Sequence, residues 1–187
     1  MKNKIHLIVL SCLIIITSLT DVHAAKFIDQ MQPLVDDSST NAIGGSSEQK
    51  LAQTITVGQN GVLKGVYLPV SCESGKLIIE IRDVISGIPG NTILAKRKIS
   101  ATRFSHVVSS FRYFSFKENL TLIAGEQISI VLRNPTGSCG LAKAETGDTY
   151  SEGDGFFDSR PNAPGWIPFF SSNAALDLPF MTVIKVP

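Results

Sequence analysis

A chain of 187 residues with 17 Lys and Arg against 16 Asp and Glu suits one domain of ordinary size with no charge surplus. Near-neutrality without a basic block speaks against nucleic acid and anionic membrane as partners. Three histidines and three cysteines leave little material for a metal or nucleophile site.

Residues 1–24 read as a secretory signal peptide. Lys2 and Lys4 form a positive start, Ile5 to Leu19 is mostly apolar, and Val22-His23-Ala24 offers a cleavage site after Ala24. The competing reading is a membrane anchor, but the apolar run falls short of the roughly 20 residues that span a bilayer. A lipidated Cys12 is disfavoured because apolar residues continue beyond it. The expected product is secreted or periplasmic, starts at Ala25 and has no transmembrane helix. Cleavage removes Lys2, Lys4, Asp21, His6, His23 and Cys12, leaving 15 charges of each sign, His106 as the remaining histidine, and two cysteines. Two cysteines in an exported chain imply one disulfide, Cys72 to Cys139. Such a bridge closes a loop of about 67 residues and contributes roughly 4 kcal/mol by chain entropy.

Residues 25–48 are polar, with loop compositions at Asp36 to Asn41 and Gly44 to Ser47. A short edge strand near Phe27 to Gln30 is the structural feature expected there. The domain proper is expected over 49–187. It opens with three strands in Leu51 to Val84, broken at Gly58-Gln59-Asn60-Gly61 and at Glu73-Ser74-Gly75. Leu77, Ile79 and Ile81 alternate with Glu80 and Arg82, so the first set is expected in the core and the second in solvent. Ser86 to Asn91 reads as a turn built on Pro89-Gly90. Ile93 to Ile99 is a strand whose Lys96-Arg97-Lys98 reads as a solvated or edge-protecting patch, or alternatively as an anion site. Phe111 to Phe116 carries aromatics on both faces and reads as a central strand. Ile128, Ile130 and Leu132 form a further buried face. Ser138 to Ala144 and Leu178 to Val186 complete about eight strands without an amphipathic helix. The class is all-β, a two-sheet antiparallel sandwich of jelly-roll type with one disulfide.

Catalytic equipment is sparse. His106 lies in a loop with no G-x-S-x-G elbow. Glu80 is the best strand-borne carboxylate for a hydrolase, but no second strand offers a facing partner. The stretch Asp148 to Gly155 is acidic and glycine-rich. Asp148, Glu152, Asp154 and Asp158 are the candidate calcium ligands, although their spacing is not that of an EF-hand and a solvated turn is the competing reading. No cofactor is otherwise expected. Six of the fourteen aromatics fall in Tyr150 to Phe170, among Gly, Pro, Asp and Asn. Such a loop suits a sugar, with aromatic faces for the ring and polar groups for the hydroxyls. Tyr150, Asp154, Phe156, Asp158 and Trp166 are the expected ligand-binding residues. The competing reading has the rings plugging one end of the sandwich.

Several short motifs occur in a familiar order. They are Gly45 to Thr54, Thr56-Val57-Gly58 with Gly61, Leu77 to Ile81, Gly87-Ile88-Pro89-Gly90 and Ala124-Gly125. Ser138-Cys139-Gly140, Gly153-Asp154-Gly155-Phe156-Phe157, Gly165-Trp166 and Asp177-Leu178-Pro179-Phe180 follow. Across about residues 28–186 the chain resembles a family of exported bacterial β-sandwich modules found in proteins with varied cell-surface anchors. The resemblance implies a jelly-roll-like sandwich with a Cys72–Cys139 bridge, and it implies no established enzyme activity. The expected function is a non-catalytic module binding a ligand, a glycan in the first instance. The alternatives are a structural or adhesive module contacting a cell-surface protein, and a carboxylate-based hydrolase.

Overall fold

In the computed structural model, residues 25–104, 110–145, 149–159, 165–171, 174–175 and 177–186 are described. The proposed signal peptide, His106 and Asp148 lie outside them. Strand follows strand because apolar residues recur at every second position and Gly-containing turns interrupt them. The elements are β1 (Lys26–Gln32), β2 (Val35–Gly44), β3 (Lys50–Thr56), β4 (Gly61–Leu68), β5 (Val70–Cys72), β6 (Lys76–Ile85), β7 (Ile88–Ser100) and β8 (Arg112–Ser115). There follow β9 (Thr121–Leu122), β10 (Gln127–Arg133), β11 (Ser138–Ala144), β12 (Gly155–Asp158), β13 (Ile167–Pro168), β14 (Phe170–Ser171), β15 (Ala174–Ala175) and β16 (Phe180–Lys185).

All pairings are antiparallel. One large sheet runs β13-β12-β3-β10-β6-β7, and the other runs β1-β16-β4-β8 with β9 on β4. A third, β2-β11-β5, carries the disulfide. It is continuous with its neighbours along the chain: only Pro69, which has no N–H to give a ladder, separates β4 from β5. The core lies between the two large sheets. Leu51, Ile55, Leu77, Ile79, Ile81, Ile128, Ile130 and Leu132 come from one, and Leu63, Leu68, Phe114, Phe180 and Ile184 from the other. The chain is therefore an all-β antiparallel sandwich with a Cys72–Cys139 bridge. Ile79 is fully buried. Ile79→Ala is expected to cost about 2–5 kcal/mol in chemical denaturation; a cost below about 0.5 kcal/mol would place the residue on the other face.

Four sequence expectations change. In residues 25–48 the edge strand expected near Phe27 to Gln30 is present as β1, but a second strand, β2, runs through the stretch read as loop at Asp36 to Asn41. β1 pairs with β16, and β2 pairs with β11 from Ser138↔Gly44 to Ala144↔Val35. Strands at sheet edges keep one side in water, so a polar composition does not preclude them. The turn after β6 is Ser86-Gly87, not Pro89-Gly90: both residues have positive φ, and Ile85 pairs with Ile88 across them. That is the pattern of a two-residue hairpin turn, and Pro89 falls inside edge strand β7. The strand containing Tyr113 is an edge, with Tyr113 exposed, rather than a central strand. Finally, Glu80 is wholly buried despite pointing away from the core.

Candidate functional site

The Tyr150–Phe170 region is held on the sandwich by a buried polar network. Asp177 Oδ2 accepts the N–H groups of Thr149 at 3.1 Å and Tyr150 at 2.9 Å. Gln53 Nε2 donates to Asp177 Oδ1 at 3.0 Å, and Gln53 Oε1 accepts from the Leu178 N–H at 2.7 Å. The Glu152–Asp154 turn then lies along β3. Thr54 N donates to Asp154 O at 2.9 Å, and Thr56 N donates to Glu152 O at 3.1 Å. Gly153 permits this approach, since a Cβ there would fall 2.0 Å from Thr54 O.

From this anchor the aromatics separate to opposite sides of the six-stranded sheet. Tyr150 goes inward. It is 6% exposed, meets the Phe180 ring edge-on at 5.1 Å, and gives its hydroxyl to Thr56 O at 3.4 Å. Burial pushes that hydroxyl's pKa up. Phe157 and Phe169 also pack on the main core, with ring centroids 5.2 Å apart. Phe156 points outward. It forms a second apolar cluster with Ala52 and Val131, and half-buried Trp166 packs against that cluster. The expectation that Tyr150 belongs with Trp166 is therefore corrected: alternation along and across the sheet puts them on opposite faces. Phe156, 3% exposed, supports Trp166 from beneath rather than meeting a ligand itself.

The carboxylates are also redistributed. Asp158, expected at the rim of a loop site, is 3% exposed in β12 and ion-paired to Lys50 at 2.8 Å. Asp154 is exposed in the turn before β12. Four residues of extended chain hold these two roughly 13 Å apart, too far to share one ion. Asp148 lies outside the described residues. Among the described residues no group of three His, Cys, Asp or Glu is placed to hold a metal.

On the outer face the apolar cluster runs directly into a charged one. The register aligns Pro168, Phe156, Ala52, Val131, Glu80 and Lys96 in one row across six strands. Glu80 stands at its hub. Its Oε1 accepts from Arg133 Nε at 3.2 Å, Arg133 Nη2 at 2.8 Å and Lys96 Nζ at 2.9 Å. Its Oε2 accepts from Arg82 Nε at 3.0 Å and from Arg82 Nη2. Arg82 also donates to Gly90 O at 3.4 Å. Long aliphatic stems laid over the carboxylate exclude water while their charged ends stay at the surface. Burial pushes the Glu80 pKa up, but the hydrogen bonds from Arg133, Arg82 and Lys96 outweigh it and hold the pKa at about 2.

Such a carboxylate is ionised at neutral pH and has both oxygens committed, so it is badly placed as a general acid or nucleophile. Across the sheet, Asp158 is three strands away, roughly 14 Å at ordinary strand spacing and beyond the separation that glycoside hydrolysis uses, while Glu118 reaches the cluster from the sheet edge on the Lys96 N–H. Sequence reasoning noticed Lys96 and paired Glu80 with Arg82, but it missed Arg133, which lies 53 positions from Glu80. Another open surface is the outer face of the five-stranded sheet. There Phe27, Ile28, Tyr67, Tyr113, Met181 and Val183 line a trough of about 320 Å³.

No family model and no curated protein matches the chain. Among solved structures it is similar to the clostridial cysteine protease Cwp84 after propeptide cleavage, with a TM-score of 0.52 and 14% identity. That match covers 86% of this chain and 40% of the protease chain, and at this identity it bears on the fold alone. No described helix is long and apolar enough to cross a membrane. The disulfide fits an oxidising compartment rather than the cytoplasm.

Proposed function

We propose that this protein is a non-catalytic, exported β-sandwich module that binds a glycan on the outer face of its six-stranded sheet. The observation carrying this reading is the seating of Trp166. A half-buried indole rests on Ala52, Val131 and Phe156, on the open face that also holds the Arg82, Lys96 and Arg133 cluster. A supported aromatic face beside fixed hydrogen-bond donors suits a sugar ring and its polar substituents. The rigid sheet beneath it limits the ordering cost of binding. Export rests on the signal-like residues 1–24 and is in keeping with the disulfide. The protease activity named for the structural relative gains no support here, because the two cysteines among the described residues are bonded to each other.

The test is a glycan array with wild type and Trp166→Ala. Trp166→Ala is expected to abolish binding to every hit while lowering the melting temperature only slightly, since the residue is half-buried and lies outside the main core. A variant that still binds would remove Trp166 from the site. A variant that unfolds would make the ring structural.

A second reading, an adhesive or structural module, draws on the apolar face of the five-stranded sheet, where Ile28, Met31 and Tyr113 are 45%, 52% and 41% exposed. Protein capture through that face would survive Trp166→Ala, so the same variant separates the two readings.

A further inference from the structure

The ion cluster around Glu80 is not electrically closed. One carboxylate faces three cations, and its low pKa keeps it at a single negative charge. Lys98 sits opposite Ile78 in the neighbouring row, exposed and without an ion pair among the described residues. Lys50 is matched by Asp158. Glu118 takes the backbone N–H of Lys96 at the sheet edge at 3.4 Å, and Glu48 lines a surface pocket together with Lys50 and Arg133. Arg82, Lys96, Lys98, Arg133 and Lys50 still outnumber Glu80, Asp158, Glu118 and Glu48 by one charge.

Donors are also left over. Arg133 uses Nε and Nη2 on Glu80, and its Nη1 makes no hydrogen bond among the described residues. Lys96 has three ammonium protons, of which Glu80 takes one. The Arg133 and Lys96 side chains are 27% and 31% exposed, so an incoming group displaces water from them without disturbing Glu80. Glu80 instead fixes both cations in place before any ligand arrives, which reduces the entropy lost on binding. A guanidinium edge beside an ammonium is matched by an oxyanion with two accepting oxygens.

We infer that the glycan bound by this face is acidic, its carboxylate or sulfate held by Arg133 and Lys96 and flanked by Lys98, while another part of the same chain packs on Trp166. The inference rests on the glycan reading above. Phe156, beneath Trp166, and Glu80 are three strands apart, roughly 14 Å at ordinary strand spacing, so the ligand is an oligosaccharide rather than a single sugar.

The experiment is calorimetric titration at low salt with three probes: oligogalacturonate, its fully methyl-esterified form, and a sulfated dextran oligomer. At least one acidic probe is expected to bind about tenfold or more tighter than the ester, as a charge-assisted hydrogen bond warrants. The preference should shrink as salt is added. The identity of the favoured probe tells carboxylate from sulfate. Lys98→Glu, at an exposed position, should keep the wild-type melting temperature and lose several-fold in affinity for the acidic probe. Arg133→Gln should bring acid and ester to the same affinity. Equal binding of acid and ester, lost together in Trp166→Ala, overturns the acidic inference and leaves the glycan reading standing. Acidic binding that Trp166→Ala leaves intact and inorganic phosphate displaces overturns the glycan reading, and the inference with it. Failure of all three probes to bind overturns both.

Discussion

Glu80→Gln is expected to destabilise the protein by about 3 kcal/mol, at the lower end of what removing one partner of a buried ion pair costs. For a chain of this size that lowers the melting temperature by about 6–12 °C. The side chain is fully buried and is the common acceptor for Arg82, Lys96 and Arg133. An amide accepts with one oxygen, carries no charge, and turns two N–H donors toward three cations. The lower end applies because those cations are 14%, 31% and 27% exposed and can turn partly into water. Lys96→Ala should be milder, since two guanidinium groups would still hold the carboxylate.

The same residue sets an acid limit. Its folded pKa of about 2 lies below its ordinary 4.5, so the folded chain binds this proton less readily than the unfolded chain. The contribution is therefore complete above about pH 4.5 and is lost as the pH falls toward 2. Urea titrations across that window should show stability falling with acidity in the wild type and falling less steeply in Glu80→Gln. Parallel slopes would mean that other carboxylates dominate acid unfolding.

Replacing Cys72 and Cys139 together by Ser is expected to cost about 4 kcal/mol, the chain-entropy value for a loop of this length. That corresponds to a fall of about 8–16 °C in melting temperature. The two residues are directly opposed across β5 and β11, 67 positions apart in sequence, and are 6% and 4% exposed. Serine at both sites removes the constraint on the unfolded chain and buries two hydroxyls where sulfur had packed. Asn134 Nδ2, 3.2 Å from Cys139 Sγ, would meet a serine hydroxyl there in place of sulfur. Melting with and without reductant checks this. The wild type should shift downward with reductant, and the variant should not respond.

The sequence revealed the core better than it revealed the surface. Alternation in Leu77 to Ile81 and in Ile128 to Leu132 marks buried positions because the sheet period is two and one side must leave water. The positive φ of Gly75 falls where turn composition placed a break. Glu80 shows where such reasoning stops. Alternation places its side chain on the outer face correctly, but the cover comes from β6, β7 and β10 together. Local pattern carries no record of which distant cations arrive. Edge strand β2 was obscured for the opposite reason, since a half-solvated strand needs no apolar signal. The Tyr150–Phe170 aromatics were legible as a feature and misleading as a cluster. Phe156 and Phe157 are adjacent in sequence and lie on opposite sides of a sheet, and Tyr150 follows Phe157 inward while Trp166 follows Phe156 outward.

Trp166 is the chain's single tryptophan, so its fluorescence reports on one place in the molecule. The central claim is that ligand binds on the outer face of the six-stranded sheet, against this ring. The most direct measurement is its emission and its quenching by acrylamide during titration with oligogalacturonate, run beside calorimetry of the same samples. A saturable change in emission and a loss of quenching, with the midpoint that calorimetry gives, is the expected result. Binding heat that saturates while Trp166 emission and quenching stay constant would contradict the account and move the site off this face.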